Sequence, residues 1–247
     1  MRTKETGYRA LVYILGLLVL AMGLTLNTKA GLGVSPIISI SYAVSEISGH
    51  NFGNTTLALY AFFVLTEMIL HAIRIKRQKK HSNEILKHAE KTDAKLIFLM
   101  DFLQIPLSIV FTRFLNVFSV CIPSLEECGS EASGLLGRLG VLMLALIFTG
   151  IGAAMSLSMR LVPNPGDGLV QVLADTFGIG TGLMKNCVDA FCIVLSLIMG
   201  LLFAGKPVGI GIGTVCAVML VGRVIALFHH IFGKAMLQAA GLESGRN

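Results

Sequence analysis

Long apolar stretches run through the chain at about residues 8–28, 54–75, 95–120, 136–160, 181–204 and 207–232. Each approaches or exceeds the roughly 18 predominantly apolar residues that mark a membrane-spanning helix. Two shorter apolar stretches lie between them, Ile37–Ser48 ("IISISYAVSEIS") and Gly168–Phe177 ("GLVQVLADTF"). At a helical rise of about 1.5 Å per residue, each short helix extends less than about 20 Å, short of a hydrocarbon core of about 30 Å. The pattern predicts an all-α polytopic transmembrane helical bundle in which two helices are too short to span.

The short stretches occupy equivalent places in two halves. A gap-free slide sets "GLTLNTKAGLGVSP" (23–36) on "GAAMSLSMRLVPNP" (152–165), pairing Gly23 with Gly152, Leu32 with Leu161 and Pro36 with Pro165. The same register pairs Glu46 with Asp175, Gly49 with Gly178 and Gly53 with Gly182. Gly and Pro fix backbone geometry and acids are rare in such surroundings, so these pairs outweigh the apolar ones. A shorter slide brings Arg113 onto Arg223 in the closing helices; the basic loop, present only in the first half, takes up the difference. The expected organisation is a single membrane domain over 1–247. Repeat one covers about 8–120, with a basic cytoplasmic loop at 71–95, and repeat two covers about 136–232.

Composition agrees with the pattern: 54% hydrophobic residues against 14% charged, with a mean hydropathy of +0.78. The net charge of +6 does not point to nucleic acid, because it is concentrated in 71–95, where eight Lys/Arg face three acids. Such a loop is what the positive-inside bias produces. It also offers Arg74, Lys76, Arg77, Lys79 and Lys80 for contact with anionic lipid. If the short helices are re-entrant, each half crosses the membrane an odd number of times and the second half is inverted. With both termini cytoplasmic, the loop 71–95 is then inside and the acidic "SVCIPSLEECGSEASGL" (119–135) is outside. If the short helices cross instead, Arg2, Lys4 and Arg9 are stranded outside, so the charge bias favours inverted repeats. A thin or tilted crossing stays open as the alternative. The first apolar stretch is longer than a cleaved signal core and has a counterpart at 136–160, so it is expected to be retained.

Chemistry enters at the breaks, "GLGVSP" (31–36) and "VPNPGDG" (162–168). Irregular backbone at membrane depth is tolerated only where protein buries it or water bathes it, and paired breaks in two halves point to a transporter site. Pro165 starts a helix, Asn164 stands at the N-cap, and Asp167 falls in the first turn beside the helix dipole. Capping alone explains this cluster. The functional alternative is that Asn164, Asp167 and Gln171, on one helical face, bind a solute or cation, with Asp175 a further carboxylate. Ser35, Tyr42 and Glu46 are the candidates from the first half. Lys185 and Asp189, four apart, are read as neutralising each other, and Asp101 is read either as an interface residue or as a proton-relay carboxylate. No Walker A, HExxH or GxSxG pattern occurs and the five cysteines form no metal motif, so neither an enzyme, a cofactor nor a metal site is expected. Cys121 and Cys128 flank "CIPSLEEC" and would be able to pair only on an oxidising side.

Four segments in order, "GLGVSP", "VPNPGDGLVQVLADTFGIGTG", "FLQIPLSIVFTRFLNVF" and "KPVGIGIGT", resemble the YitT/YczE-like bacterial membrane proteins from about Ile14 to Phe228, the basic loop excepted. The resemblance implies an integral protein of a bacterial plasma membrane and says little about a substrate. Two functions follow from the residues. One is secondary transport or export of a small solute, coupled to a proton or sodium and sited at the paired breaks. The other is a non-transporting scaffold or accessory protein acting through its basic loop.

Overall fold

The computed structural model describes residues 2–79, 86–123, 125 and 134–242, with side chains described over 5–76, 95–123, 125 and 134–242. Among these residues the regular elements are all helices, without strands: α1 (Arg2–Ala30), α2 (Pro36–Ser48), α3 (Phe52–Lys79), α4 (Leu86–Cys121), α5 (Leu135–Ser158), α6 (Pro165–Phe177), α7 (Thr181–Met199) with a π-helical turn (Gly200–Ala204), and α8 (Ile212–Ala239). Among the described residues six helices contain stretches long and apolar enough to cross a membrane, and the chain is a multi-pass membrane protein. Their outward faces carry large apolar side chains such as Phe62, Leu99, Phe191 and Ile231, which suit a bilayer.

The last long helix begins later than its hydropathy predicts. Residues 207–211 are apolar but not helical, because Pro207 and the left-handed Gly209 (φ 72°) interrupt the helix. That irregular stretch and the start of α8 are hydrogen-bonded to the first break, Val34 N–H donating to Gly209 O at 2.8 Å and Gly213 N–H to Leu32 O at 2.7 Å.

The two short helices match in construction. Each is 13 residues long, opens on a proline and closes on a left-handed glycine, Gly49 (φ 70°) and Gly178 (φ 68°). The closing glycine lets its N–H return to a carbonyl of the last turn, on Ser45 and Ala174 respectively.

The most extensive interface joins α1 and α5, which run antiparallel: Arg9 lies by Met159 and Gly31 by Arg138. Small residues bring the two backbones into contact. A Cβ added at Gly23 would lie 2.5 Å from Thr149 N and 3.0 Å from Ala145 O, and one at Gly16 would lie 3.0 Å from Gly152 O. A Cβ at Gly152 would strike the backbone of Leu20. Around this crossing, α2 packs on α7 and α3 on α6, while α4 packs on α1 and α8 on α5.

The ends of the bundle follow from these contacts. One end gathers the start of α1, the end of α5 and the end of α8, where Glu5 approaches Gly241. The opposite end gathers the end of α1, the first break and the start of α8.

Candidate functional site

The second break is held open by groups from α1. Arg9 donates to Met159 O at 2.9 and 3.2 Å and to Arg160 O at 3.3 Å, and Tyr13 O–H donates to Val162 O at 2.7 Å. Carbonyls at a helix C-terminus lack intrahelical partners and carry partial negative charge, so a guanidinium is a fitting cap. At the first break an arginine is also near: Arg138 of α5 approaches Gly31, just past the end of α1.

With its upstream side fixed, the break starts α6 in the interior. Asn164 caps it, its side-chain oxygen accepting from Gly166 N–H at 3.5 Å, and lines a cavity together with the buried Tyr60 of α3. Asp167 follows in the first turn and is half-buried. Two cavities meet at these residues. One, of about 180 Å³, lies between Tyr13, Leu17, Arg160, Val162, Asn164 and Asp167. The other, of about 100 Å³, takes Ser35 and Ile37 from the first break, Asn164 and Asp167 from the second, Tyr60 from α3 and Lys185 from α7. Both breaks thus border one space, which holds a carboxylate and an ammonium amid apolar walls.

The remaining sequence candidates lie elsewhere. Gln171 and Asp175 sit at the exposed end of α6, where Gln171 donates to Asp175 at 3.3 Å and Asp175 pairs with Arg74 at 2.9 Å. Neither lines the cavities at Asp167. Tyr42 lies edge-on to Phe52 at 5.9 Å and borders a third cavity of about 320 Å³ with Gly33, Pro207 and Gly209; Glu46 follows one helical turn on in α2. Lys185 Nζ is 4.0 Å from Asp189, one turn on, and also faces Asp167 across the smaller cavity. Of the five basic residues considered for lipid contact, Arg74 holds Asp175 and Lys76 is exposed; the side chains of Arg77, Lys79 and Lys80 lie outside the described residues. Cys121 is free and exposed, and Cys128 lies outside the described residues.

The sequence reading passed over a buried polar group beside α6. Glu67 of α3 is 1% exposed and accepts a 2.8 Å hydrogen bond from Gln104 of α4. One helical turn away, His71 Nδ1 is 2.8 Å from Oδ2 of Asp101, which is 3% exposed. Spacing held a signal: Glu67 and His71 are i,i+4 on one helix, Asp101 and Gln104 i,i+3 on another. Because Glu67 and His71 adjoin the basic loop, they look like interface charges.

Comparison with known proteins leaves the chemistry open. The chain is similar to a Bacillus subtilis (strain 168) protein described as "Uncharacterized protein YyaS", 24% identical over 225 residues, covering 91% of this chain and 94% of the relative. No solved structure matches. A family profile matches residues 7–86 and 91–230, its interruption falling in the basic segment, and no YitT/YczE-like assignment accompanies that match. The chain belongs to the family of unknown function DUF6198.

Proposed function

We propose that this protein is a secondary transporter or exporter of a small polar solute, built from two inverted repeats whose short helices, α2 and α6, are re-entrant. The single observation that carries the reading is the cavity bordered by both breaks, with Ser35 from one and Asn164 and Asp167 from the other. Half-helix starts offer unpaired N–H groups and a positive dipole end, while Asp167 and Lys185 supply one charge of each sign to the cavity. A volume of about 100 Å³ admits only a few heavy atoms, so the solute is small or the site widens on binding.

The inverted repeat is supported by reciprocal contacts. The slide that sets Gly23 on Gly152 exchanges the Gly23–Thr149 approach with Leu20–Gly152, and Gly16–Gly152 with Gly23–Ala145. It also exchanges Arg9 beside Arg160 with Arg138 beside Gly31. On the flanks, Ser196 O–H donates to Ser39 O at 3.1 Å, and their counterparts Glu67 and Gly168 touch across α3 and α6. Since α1 and α5 are counterparts and run antiparallel, a two-fold relation between the halves has its axis in the membrane plane. Re-entrance is supported by the ends of α6: it begins behind Met159, which Arg9 holds, and finishes where Asp175 meets Arg74.

The test starts from purified protein. A thermal-shift screen against small polar solutes, followed by flux into proteoliposomes, should find a solute whose movement Asp167→Asn, or removal of the Asn164 amide, abolishes with expression and folding intact. Flux unaffected by Asp167→Asn sinks the site. Cellular function that survives both changes but is lost on deleting 76–92 selects the scaffold reading.

A further inference from the structure

Glu67 and Gln104 present an arithmetic problem in hydrogen atoms. Both are 1% exposed, and the amide Nε2 donates to Glu67 Oε2 at 2.8 Å. Oε1 of Glu67 and Oε1 of Gln104 are both buried with no hydrogen-bond partner. No salt bridge to Glu67 occurs among the described residues. Removing an ionised carboxylate from water without a cation or a full set of donors is strongly unfavourable, and each orphaned acceptor adds to the cost. A single proton resolves all three difficulties. A carboxylic acid facing a primary amide pairs with it twice, accepting N–H on one oxygen and donating O–H from the other to the amide oxygen.

We propose that Glu67 is a proton-carrying carboxylic acid, doubly hydrogen-bonded to Gln104 and seated on Gly168 of α6, and that loss of its proton unseats α6. The seat is tight: a Cβ added at Gly168 would lie 2.7 and 2.8 Å from the two carboxyl oxygens, so only glycine lets α6 close on this group. The ionisable and polar groups around Glu67 are Gln104 and Asp101 on α4, Asp167 on α6, and His71 one turn along α3. Deprotonation converts Glu67 to a carboxylate and releases one H⁺. The way out is the His71–Asp101 pair, where the His71 side chain is the more exposed of the two. The remaining negative charge then faces the helix that carries Asp167, and like charges drive the two helices apart. This names the coupling ion as a proton and rests on the reading of α6 as a wall of the solute site.

Infrared difference spectroscopy on the full-length protein in lipid nanodiscs tests it. The expected result is a protonated-carboxyl stretch at neutral pH that is absent from Glu67→Gln and displaced in Gln104→Leu. Glu67→Gln is expected to melt at the wild-type temperature, since the amide is the shape of the acid. Gly168→Ala, which pushes on the carboxyl, should displace the same band. Identical carboxyl spectra from wild type and Glu67→Gln, both folded, overturn the proposal. A band removed by sodium at constant pH overturns the proton in favour of sodium. In proteoliposomes, solute flux that keeps its dependence on a pH gradient in Glu67→Gln overturns the coupling and leaves transport standing. A Glu67 band in a protein that moves no solute rejects the transport reading and leaves the protonated carboxyl standing.

Discussion

Arg160 adopts φ 48°, the left-handed conformation that costs a residue bearing a Cβ roughly 1–2 kcal/mol, and among the described residues no other non-glycine does so. Its counterpart in the first half, Gly31 (φ 66°), takes the same shape without that cost. Gly31→Ala is therefore expected to destabilise by about 1 kcal/mol, and Arg160→Gly to stabilise by less than that, since glycine also loosens the unfolded chain. Melting followed by fluorescence-detected size exclusion reads both. The crossing glycines are less forgiving: Gly23→Leu and Gly152→Leu force backbone apart and should each cost at least about 1–3 kcal/mol. A melting temperature unchanged in either variant contradicts the α1–α5 interface.

Among the elements, the short helices make the sharpest prediction. In a chain whose five cysteines are replaced by alanine, His50→Cys and Ile179→Cys mark the residues just beyond α2 and α6, and both positions are exposed. An impermeant maleimide should label His50→Cys on intact cells and Ile179→Cys only after permeabilisation. Labelling of both from one side means that α6 crosses, and the reverse pattern means that α2 alone does. The helices themselves were legible because apolar run length and Pro/Gly boundaries are local signals; Pro36, Pro165, Gly49 and Gly178 bound the short ones where the pattern indicates. The start of α8 was not, since 207–211 is as apolar as a helix but is fixed by glycines and by its hydrogen bonds to the first break. Of the candidate cavity's lining, Ser35, Asn164 and Asp167 were legible because polar residues at a Gly/Pro break stand out against apolar runs. Gln171 shares their helical face, but α6 runs from the interior to an exposed end, and periodicity does not register depth. Glu67 was hidden because its partner Gln104 comes from the far side of the basic segment, a contact no local pattern reports.

For the whole molecule, charge placement and cavity make the prediction. Replacing Arg74 should free Asp175 and the end of α6 at a stability cost of about 0.2–1 kcal/mol, the range of an exposed ion pair, and less at high salt. A measured loss well above that range, insensitive to salt, means that the contact is more deeply shielded than its exposure indicates. The two arginines at the breaks have a different kind of consequence. Arg9 belongs to the first half but closes a helix of the second, and Arg138 stands in the second half against the helix end of the first. The second half alone cannot satisfy the carbonyls that end α5. Cut between residues 125 and 134 and expressed as two polypeptides, the protein should behave as a complementation pair: each fragment is degraded when made singly, and the two co-purify when made together.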